Sequence, residues 1–414
     1  MITSGQTADF ADVKAANLGV VLRHMRTNAP CSRADIAAAT GLNKATVSSL
    51  VADLLDRRLL REDGSSGFRV GRPATMLVLD GEPYATVGIE VGSDHVTALA
   101  VDLLGNRLLS WHRSLTEHLT SPGQAVAAVA SLARRAVTRV GRQGRRILGL
   151  TVGVPGLVDV DGVVRSSLHL GWCDVDLRGE LVTALRRPEY PVTVDSAANL
   201  AVLAEQRWGR HPEAANLAYL TGGAAISAGV VIDGRLLRGS RGFGGAIGHI
   251  QVLPGGPPCL CGRDGCLETL AGIPALIRRA LPDAEDAADL ALDVQEVVRR
   301  AKANDPCALD ALAETGRWLG HGASLLSNVV NPQVLILGGY FAPLAPWLEP
   351  AMAAELALRT VAPQAGGCRI APAALGAESA TLGAAARVLD QIDTGHLPDY
   401  LTANAHPRTA RPAD

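Results

Sequence analysis

The 414-residue sequence has no long apolar run, no signal-peptide pattern and no even set of cysteines. No apolar stretch reaches the roughly 20 residues that a membrane-spanning helix needs. The first residues lack the basic and apolar regions of a signal peptide. Seven cysteines, an odd number, argue against a disulfide framework. We therefore expect a cytoplasmic protein that has no membrane partner.

The composition is that of a globular protein with a local basic surplus. Hydrophobic residues make up 48% and charged residues 19% of the chain, which argues against disorder. A chain of this length can form two or three domains, each with its own core. The net charge of −2 neither requires nor excludes nucleic acid, but residues 1–79 contain ten Lys or Arg against seven Asp or Glu. The positive charge is thus concentrated near the amino-terminal end.

The amino-terminal part has the pattern of a helix-turn-helix. After a first predicted helix over 13–28, a second one starts at Ser32, and Asp35 stands at the capping-box distance from it. Gly41 supplies the left-handed conformation of a tight turn before a third helix over about 43–58. Four apolar residues are placed to lock the second and third helices together: Ile36, Leu42, Val47 and Leu50. The alternative is an ordinary helical hairpin with a solvated polar face.

The start of the third predicted helix is polar or small, as in a helix that enters the major groove of DNA. We predict that its exposed positions contact bases: Asn43, Lys44, Ala45, Thr46, Ser48 and Ser49. Ser32 and Arg33 are placed to touch phosphate. Gly64–Gly67 is typical of the tip of a wing, and Arg72, between a glycine and a proline, suits an A·T-rich minor groove. The predicted partner is a double-stranded DNA operator.

Beyond residue 83 the pattern changes to strands that alternate with helices, which indicates an α/β architecture. The linker Asp80–Pro83 contains Gly and Pro and separates the two patterns. We therefore predict a winged helix-turn-helix domain over 1–82 and an α/β domain over 83–393. Residues 394–414 are expected to form a frayed tail.

Three cysteines lie within eight residues, shortly after a histidine. His249, Cys259, Cys261 and Cys266 supply one imidazole and three thiolates, a set that suits tetrahedral zinc. A full ligand set leaves no position for water, so we predict a structural zinc ion. The other cysteines are expected to be buried apolar thiols: Cys31, Cys173, Cys307 and Cys368.

Five motifs in the second domain point to a known family. They are Gly153–Gly156, Leu170–Trp172, Gly234–Gly239, Gly248–His249 and the Cys-x-Cys-Gly-x-x-Gly-Cys-Leu-Glu run ending at Glu268. With them the chain resembles the ROK family (repressor, open reading frame, kinase), in its branch of regulators with a winged helix. The resemblance implies a two-lobed, actin-like ATPase fold of the ribonuclease H type, a sugar cleft between the lobes, a zinc site near it, and a homodimer or tetramer. One lobe would cover about 83–200 with 379–392, and the other about 200–375.

The chain departs from the ROK kinase pattern where a kinase handles phosphate. Val194–Asn199 aligns with the kinase pattern Glu-Asn-Asp-Ala-Asn, and Ala197 takes the position of the catalytic Asp. Phosphoryl transfer needs a carboxylate to accept the hydroxyl proton, and a positioned base is worth roughly 10²–10⁴ in rate. Both phosphate loops differ as well, since Glu90–His95 lacks the lysine and Thr221–Gly229 places the methyl groups of Ala224 and Ala225 where the backbone should approach the nucleotide. We therefore expect no enzyme activity, no catalytic residue and no bound ATP.

The resemblance also implies a small-molecule effector in the cleft. The residues that would contact it are His169, Ser196, Asn199, His249 and Glu268. Ala246 stands where the family has a sugar-binding Glu, which leaves open a different ligand, a weakly bound sugar or none. We predict a repressor of carbohydrate-related genes, in which closure of the lobes acts on the DNA-binding domains through the zinc-bearing region. The alternatives are a ligand-independent regulator that uses the ROK domain only to oligomerise, and a ROK sugar kinase.

Overall fold

The computed structural model describes residues 10–63, 75–92, 95–114, 121–283, 289–364, 367–395, 397 and 401. Within them, twelve α-helices and fifteen strands form an amino-terminal part and an α/β part. We call residues 10–63 and 75–79 the head, and the described residues from 84 onward the body. Among the described helices, none combines the length and the low polarity that crossing a membrane requires.

The head consists of three helices and a two-stranded antiparallel sheet. Its elements are α1 (Phe10–Asn28), α2 (Arg33–Thr40), α3 (Lys44–Asp56), β1 (Leu60–Asp63) and β2 (Met76–Leu79). The predicted capping box is present, because Ser32 Oγ accepts from Asp35 N at 3.2 Å and Asp35 Oδ2 accepts from Ser32 N at 3.0 Å. Gly41 has a φ of 72°, in the left-handed region that its turn requires. The predicted helix-turn-helix is confirmed, while the predicted wing tip Gly64–Gly67 lies outside the described residues.

The first half of the body contains eight strands and three helices. They are β3 (Tyr84–Val91), β4 (His95–Val101), β5 (Arg107–Ser114), α4 (Pro122–Gly141), β6 (Arg146–Val154), β7 (Leu157–Val158), β8 (Val164–Ser167), β9 (Trp172–Val175), α5 (Leu177–Ala184), β10 (Val192–Ser196) and α6 (Ala197–Trp208). Five strands form a mixed sheet in the order β10-β6-β3-β4-β5, and β7, β8 and β9 form a small antiparallel sheet. In the larger sheet β3, β4 and β5 form an antiparallel meander, and β6 and β10 run parallel to β3.

The second half contains five strands and six helices. They are β11 (Leu217–Gly222), β12 (Ile226–Ile232), β13 (Arg235–Leu236), α7 (Leu267–Ala271), α8 (Ile273–Ala280), α9 (Leu290–Lys302), α10 (Pro306–Val330), β14 (Val334–Gly339), α11 (Phe341–Arg359), β15 (Arg369–Pro372) and α12 (Ser379–Asp393). Its sheet has the order β13-β12-β11-β14-β15, which is again a three-stranded meander followed by two parallel strands. The two lobes therefore share one topology although their sequences show no repeat. The predicted two-lobed, actin-like fold is confirmed.

Helices α6 and α12 cross between the two sheets. Helix α12 packs against β3 and β6 of the first sheet, and α6 packs against β11 and β12 of the second. The crossing is close at Gly383, where an added Cβ would lie only 1.7 Å from the carbonyl oxygen of Leu200. A side chain at this position would push the helices apart, and the lobes with them.

The head and the body share one hydrophobic core. Leu22 and Met25 of α1 are buried in the same cluster as Leu99 of β4 and Leu389 of α12. Such a continuous core holds two units in one orientation far more firmly than a linker does, because separating them would expose the apolar surface of both.

The chain after α12 returns to the head. The sequence predicts a frayed tail from residue 394, but Leu401 is 1% exposed and Leu397 packs against the shared core. The guanidinium of Arg57 donates to the carbonyl oxygen of Leu401 at 3.0 Å. The expectation of fraying is wrong at these two residues, because each leucine buries an apolar side chain.

Most of the scattered cysteines are not the buried thiols that we expect from the sequence. Cys31 is buried, but Cys173 and Cys307 are exposed and Cys368 is half-buried. Cys173 lies on the outward face of β9, and Cys307 lies in the first turn of α10. Both positions face away from a core, so the prediction holds for Cys31 and is wrong for Cys173 and Cys307.

Candidate functional sites

The helix-turn-helix exposes the start of α3. Val47 and Leu50 face the core of the head and are 0% and 4% exposed. Of the six predicted base-contacting residues, Thr46 is half-buried and the other five are exposed: Asn43, Lys44, Ala45, Ser48 and Ser49. Their side chains are short or flexible, so the helix can approach a base-pair edge closely, as insertion into the major groove requires.

Two of the predicted DNA contacts take part in helix caps. Asn43 Oδ1 accepts from Thr46 N at 2.8 Å, which leaves the amide NH₂ group of Asn43 as a donor. Ser32 is 6% exposed, and its hydroxyl donates to Asp35 Oδ2 at 2.8 Å. This geometry explains Ser32 as a cap and gives no support to the phosphate contact predicted for it.

Of the two arginines predicted to contact DNA, Arg33 and Arg72, only Arg33 lies within the described residues. The guanidinium of Arg33 lies 3.8 Å from Glu62, and both side chains are at least one-third exposed. Such a pair is worth little in water, so Arg33 can exchange Glu62 for a phosphate at low cost.

The four predicted zinc ligands come together. Ligand atoms of His249, Cys259, Cys261 and Cys266 all lie within 4.8 Å of one another. Nδ1 of His249 lies 3.5 Å from Cys259 Sγ, and Cys261 Sγ lies 3.6 Å from Cys266 Sγ. Tetrahedral zinc, with Zn–S about 2.3 Å and Zn–N about 2.0 Å, sets its ligand atoms about 3.5–3.8 Å apart. Both the donor set and the spacing fit this ion.

The three thiols ionise differently in the absence of a cation. Burial raises the pKa of Cys259, and burial with the neighbouring thiols raises the pKa of Cys266 to about 12. At Cys261 burial is outweighed by hydrogen bonds from Arg263, which lower the pKa to about 7. Three thiolates at this spacing repel one another, so a divalent cation would supply the charge that lets all of them ionise together.

Loss of the metal is expected to unfold the loop around these ligands. A structural zinc ion contributes on the order of 10 kcal/mol of local folding energy near neutral pH. Cys261→Ser should therefore lose stoichiometric zinc, measured by elemental analysis, and become sensitive to proteolysis between residues 250 and 268. Cys307→Ser, an exposed thiol elsewhere, is the matched control. Full zinc content in Cys261→Ser, or none in the native protein, would contradict the assignment.

The cysteine loop leads directly into the cleft. Helix α7 begins at Leu267, and its first turn carries Glu268, which is 8% exposed. Glu268 Oε1 lies 3.0 Å from Nε2 of His169, and Glu268 Oε2 accepts from Ile226 N at 2.9 Å. Two of the predicted effector residues, His169 and Glu268, are therefore in contact. Glu268 thus connects α7 to the first residue of β12 and, through His169, to the loop between β8 and β9 of the other lobe.

Asp195 is a cleft residue that sequence analysis does not single out. Asp195 Oδ1 accepts from Ser196 N at 2.8 Å and from Asn199 Nδ2 at 3.1 Å, and the guanidinium of Arg238 binds Oδ2. These bonds hold Asn199 with its own Oδ1 buried and without a hydrogen-bond partner among the described residues. Asp195 thus orients the amide of Asn199. Its place in Val194–Asn199, which aligns with the kinase pattern, and Arg238 inside the motif Gly234–Gly239 are the signals that could have found it.

Ala197 presents a methyl group at the start of α6. It is the first residue of that helix and lies beside Gly153 of the first sheet. No proton acceptor stands at this position, which a ROK kinase fills with a carboxylate. In the second phosphate loop Gly223 N donates to Ala225 O at 3.0 Å, so the backbone closes on itself. The site can offer hydrogen bonds to a polar ligand, but position 197 cannot take its proton.

Four charged side chains connect the body to the head. We call Arg26, Arg207, Asp390 and Asp393 the junction. Arg26 donates to both oxygens of Asp393 at 2.8 and 2.7 Å, and Arg207 donates to Asp393 at 2.9 Å and to Asp390 at 2.5 Å. The side chain of Asp393 is 9% exposed and that of Arg207 10%. Arg207 lies in the last turn of α6, whose first turn lies in the cleft.

Comparison with known proteins agrees with this architecture. The model of the ROK family matches residues 86–391, and the model of the MarR family matches residues 20–67. The xylose repressor of Bacillus subtilis (strain 168) is 30% identical over 95% of this chain and 99% of its own length. A crystal structure of a ROK family transcriptional regulator, described as a homologue of the E. coli MLC protein, has the same fold, with a TM-score of 0.80, 24% identity and coverage of 94% and 99%.

The family also contains kinases. A ROK family glucokinase from Streptomyces griseus, solved with glucose and AMPPNP, is 26% identical with a TM-score of 0.61 and covers 73% of this chain and 98% of its own. The kinase thus matches about the length of the body alone, whereas the repressor extends over the head as well. The chain belongs to the ROK family and carries a MarR-type winged helix ahead of its ROK domain.

Proposed function

We propose that the protein is a DNA-binding repressor of carbohydrate-related genes, with a winged helix-turn-helix domain over about 1–82 and a sugar-sensing ROK domain over about 83–393. The observation that carries the proposal is the exposed polar start of α3 on a head fused to a ROK body whose position 197 is alanine. A full-length relative named xylose repressor supports the same function. In this proposal the protein acts on double-stranded DNA in the cytoplasm.

The proposal assigns no catalytic step to the cleft. A methyl group at Ala197 cannot act as the general base that phosphoryl transfer requires. The alternative is a sugar kinase with an appended head. It has to be tested because the family also contains kinases. A coupled ATPase assay over a panel of hexoses separates the two, because only the alternative produces sugar-dependent turnover that a cleft substitution abolishes.

The effector that we propose is a sugar bound between the lobes. His169, Asn199 and Glu268 offer donors and acceptors of the kind that match hydroxyl groups. At Ala197 and Ala246 the chain lacks two side chains with which a kinase contacts its sugar, so we expect the sugar to bind with lower affinity. The second candidate is a body that binds no ligand and only oligomerises. A melting temperature that no sugar raises would favour the second candidate, since a ligand that prefers the folded state must stabilise it.

The route that we propose from the cleft to the DNA is α6 and the junction. Helix α6 begins beside the predicted ligand contacts Ser196 and Asn199, and it ends at Arg207 in the junction. On the side of the head, Arg26 of α1 joins the junction by donating to Asp393. The sequence predicts transmission through the zinc-bearing region, but the contacts that join the head to the body include β4 and, on the proposed route, α12 and Ala204 of α6. Zinc would then hold Glu268 in place, and a dimer or tetramer would set the spacing of two heads.

The proposal predicts salt-sensitive binding to the DNA upstream of the protein's own gene. Phosphate contacts by lysine and arginine make affinity fall steeply with salt, while base contacts give a preference over random sequence. Fluorescence anisotropy at several salt concentrations should show tighter binding to the upstream duplex than to random duplex. Equal affinity for both duplexes at every salt concentration would overturn the proposed function.

A further inference from the structure

A cavity of about 250 Å³ lies beside the open edge of β10, away from the contact between His169 and Glu268. Its wall is formed by β10, by the turn at residues 160–162, by the start of α5, by the loop after β13 and by α12. Three guanidinium groups from three of these elements face it: Arg178, Arg238 and Arg387. We name it the arginine pocket.

The charges that line the arginine pocket do not cancel. The lining includes two carboxylates, Asp161 and Asp195. Asp195 is already bound to Arg238, and its other oxygen accepts from Ser196 N and Asn199. Asp161 is exposed to solvent, where its field is weak. Among the described residues, Arg178 and Arg387 therefore line the pocket with no carboxylate oxygen within ion-pair distance of their guanidinium groups.

Arg387 is the central observation. Among the described residues, its guanidinium has no hydrogen bond and no ion pair within 4 Å. Burial and the nearby charge of Arg238 lower the pKa of Arg387, and the more weakly acting charges of Asp195 and Asp390 only partly oppose them. Neither carboxylate contacts the guanidinium directly, so an anion bound in the pocket would be its nearest charge partner.

Arg178 has donors to spare on the same wall. Its Nε donates to Val192 O at 3.1 Å, which anchors the side chain along the edge of β10. Its two terminal nitrogens make no hydrogen bond with any residue that the structure describes, so they can donate to another acceptor. Guanidinium groups bind phosphate and carboxylate oxygens in pairs, so several of them around one small cavity form a site for an oxyanion.

We infer that the arginine pocket binds the phosphate group of a small metabolite, with Arg387 and Arg178 as the principal ligands and Arg238 beside them. The volume accommodates a phosphate together with part of the molecule that bears it. Neighbouring Gln391 can donate to an ester or hydroxyl oxygen. Free phosphate and a sugar phosphate present the same phosphate oxygens to the pocket. Comparing their affinities for the protein distinguishes which of the two is the ligand.

The pocket also adjoins the junction. Arg387 and Asp390 are three residues apart on α12, and Asp390 binds Arg207. An anion on Arg387 would draw this guanidinium away from Asp390 and so change the electrostatics of the junction. Occupancy should therefore alter affinity for DNA, and only this consequence rests on the proposed function.

The test measures binding of inorganic phosphate, hexose 6-phosphate and the unphosphorylated hexose to the full-length protein by calorimetry at constant ionic strength. Phosphate should bind saturably, and Arg387→Gln and Arg178→Gln should each weaken it at least about tenfold, the size of a lost charge-assisted contact. Arg139→Gln, an exposed arginine on α4, should leave it unchanged. Tighter binding of hexose 6-phosphate than of phosphate, lost in the same variants, would identify the phosphorylated sugar as the ligand.

The contradicting results are equally specific. Absence of saturable phosphate binding to the native protein, or full binding by both pocket variants, would overturn the inference. Arg387 is half-buried and takes part in no ion pair among the described residues, so the melting temperature of Arg387→Gln in chloride should not fall. Arg178 is exposed, so Arg178→Gln repeats the test independently of folding. If phosphate binds but DNA affinity does not change, the pocket is an anion site without a regulatory role. If the native protein does not bind DNA at all, that result contradicts only the proposed function.

Discussion

Affinity for the upstream DNA is expected to fall at least about a hundredfold when Ser48 and Ser49 are both replaced by glutamate. Both serines are exposed on the first two turns of α3. A carboxylate at either position would face the electronegative groove in place of a hydroxyl that can donate to it. Each unfavourable contact with a base pair costs about 1–3 kcal/mol, and two such contacts together give this loss. Anisotropy titrations with the upstream duplex measure it.

The control for this variant is an equal charge change on the body. Gln124 and Ala127 are exposed on α4, so Gln124→Glu with Ala127→Glu adds acidic charge far from the groove. That protein should lose less than about threefold in affinity, through long-range repulsion alone, which salt screens. Native melting temperature in both variants would show that the head is folded. Full affinity in the α3 variant would show that another surface of the head reads DNA.

Asp393→Ala is expected to lower the free energy of unfolding by about 3–5 kcal/mol, because it leaves two buried guanidinium groups without their shared carboxylate. Arg26 loses both of its bonds to Asp393, and Arg207 keeps only Asp390. Burial already lowers the pKa of Arg26, which indicates how much this cation depends on its partner. Urea titration of the full-length protein measures this loss of stability. The same substitution should also uncouple DNA affinity from sugar binding, which anisotropy titrations with and without sugar would show.

Two further variants decide whether charge pairing is the cause. Arg26→Met with Asp393→Leu removes both partners and leaves Arg207 with Asp390, so its loss of stability should be clearly smaller than that of Asp393→Ala. Glu296→Ala breaks an ion cluster with Arg299 and Arg300 on the open face of α9, where water screens the charges, and should change little. A loss as large in the double variant as in Asp393→Ala would show that shape, not charge, holds the junction.

Features encoded by neighbouring residues could be predicted from the sequence. Ser32 and Asp35 form a cap over three positions, and Gly41 occupies the left-handed turn. The metal cluster could be predicted for the same reason, since its three thiols lie within eight residues and the zinc geometry restricts the fourth ligand. Such short-range patterns have one physical explanation each, and this is why they predict reliably.

Features assembled from distant segments could not be predicted. The shared core brings Met25 to Leu389, and the junction brings Arg26 to Asp393, across more than 360 residues. Neither pair has a spacing rule. Asp195 and Arg238 each lie in a motif that the sequence shows, but their pairing arises only because β10 and the loop after β13 face each other in the folded body. The wing remains a prediction at its tip, and the role of each predicted DNA and effector residue remains a proposal.

The continuous packing of Leu22 and Met25 against Leu389 has a consequence for modular engineering. If the DNA-binding domain of another protein were fused to this body at residue 83, its surface would not be complementary to the apolar patch exposed on α12 and β4. Exchange of specificity between relatives should therefore graft only the outward residues of α3. The α1 helix, which faces inward, has to stay with the body that it matches.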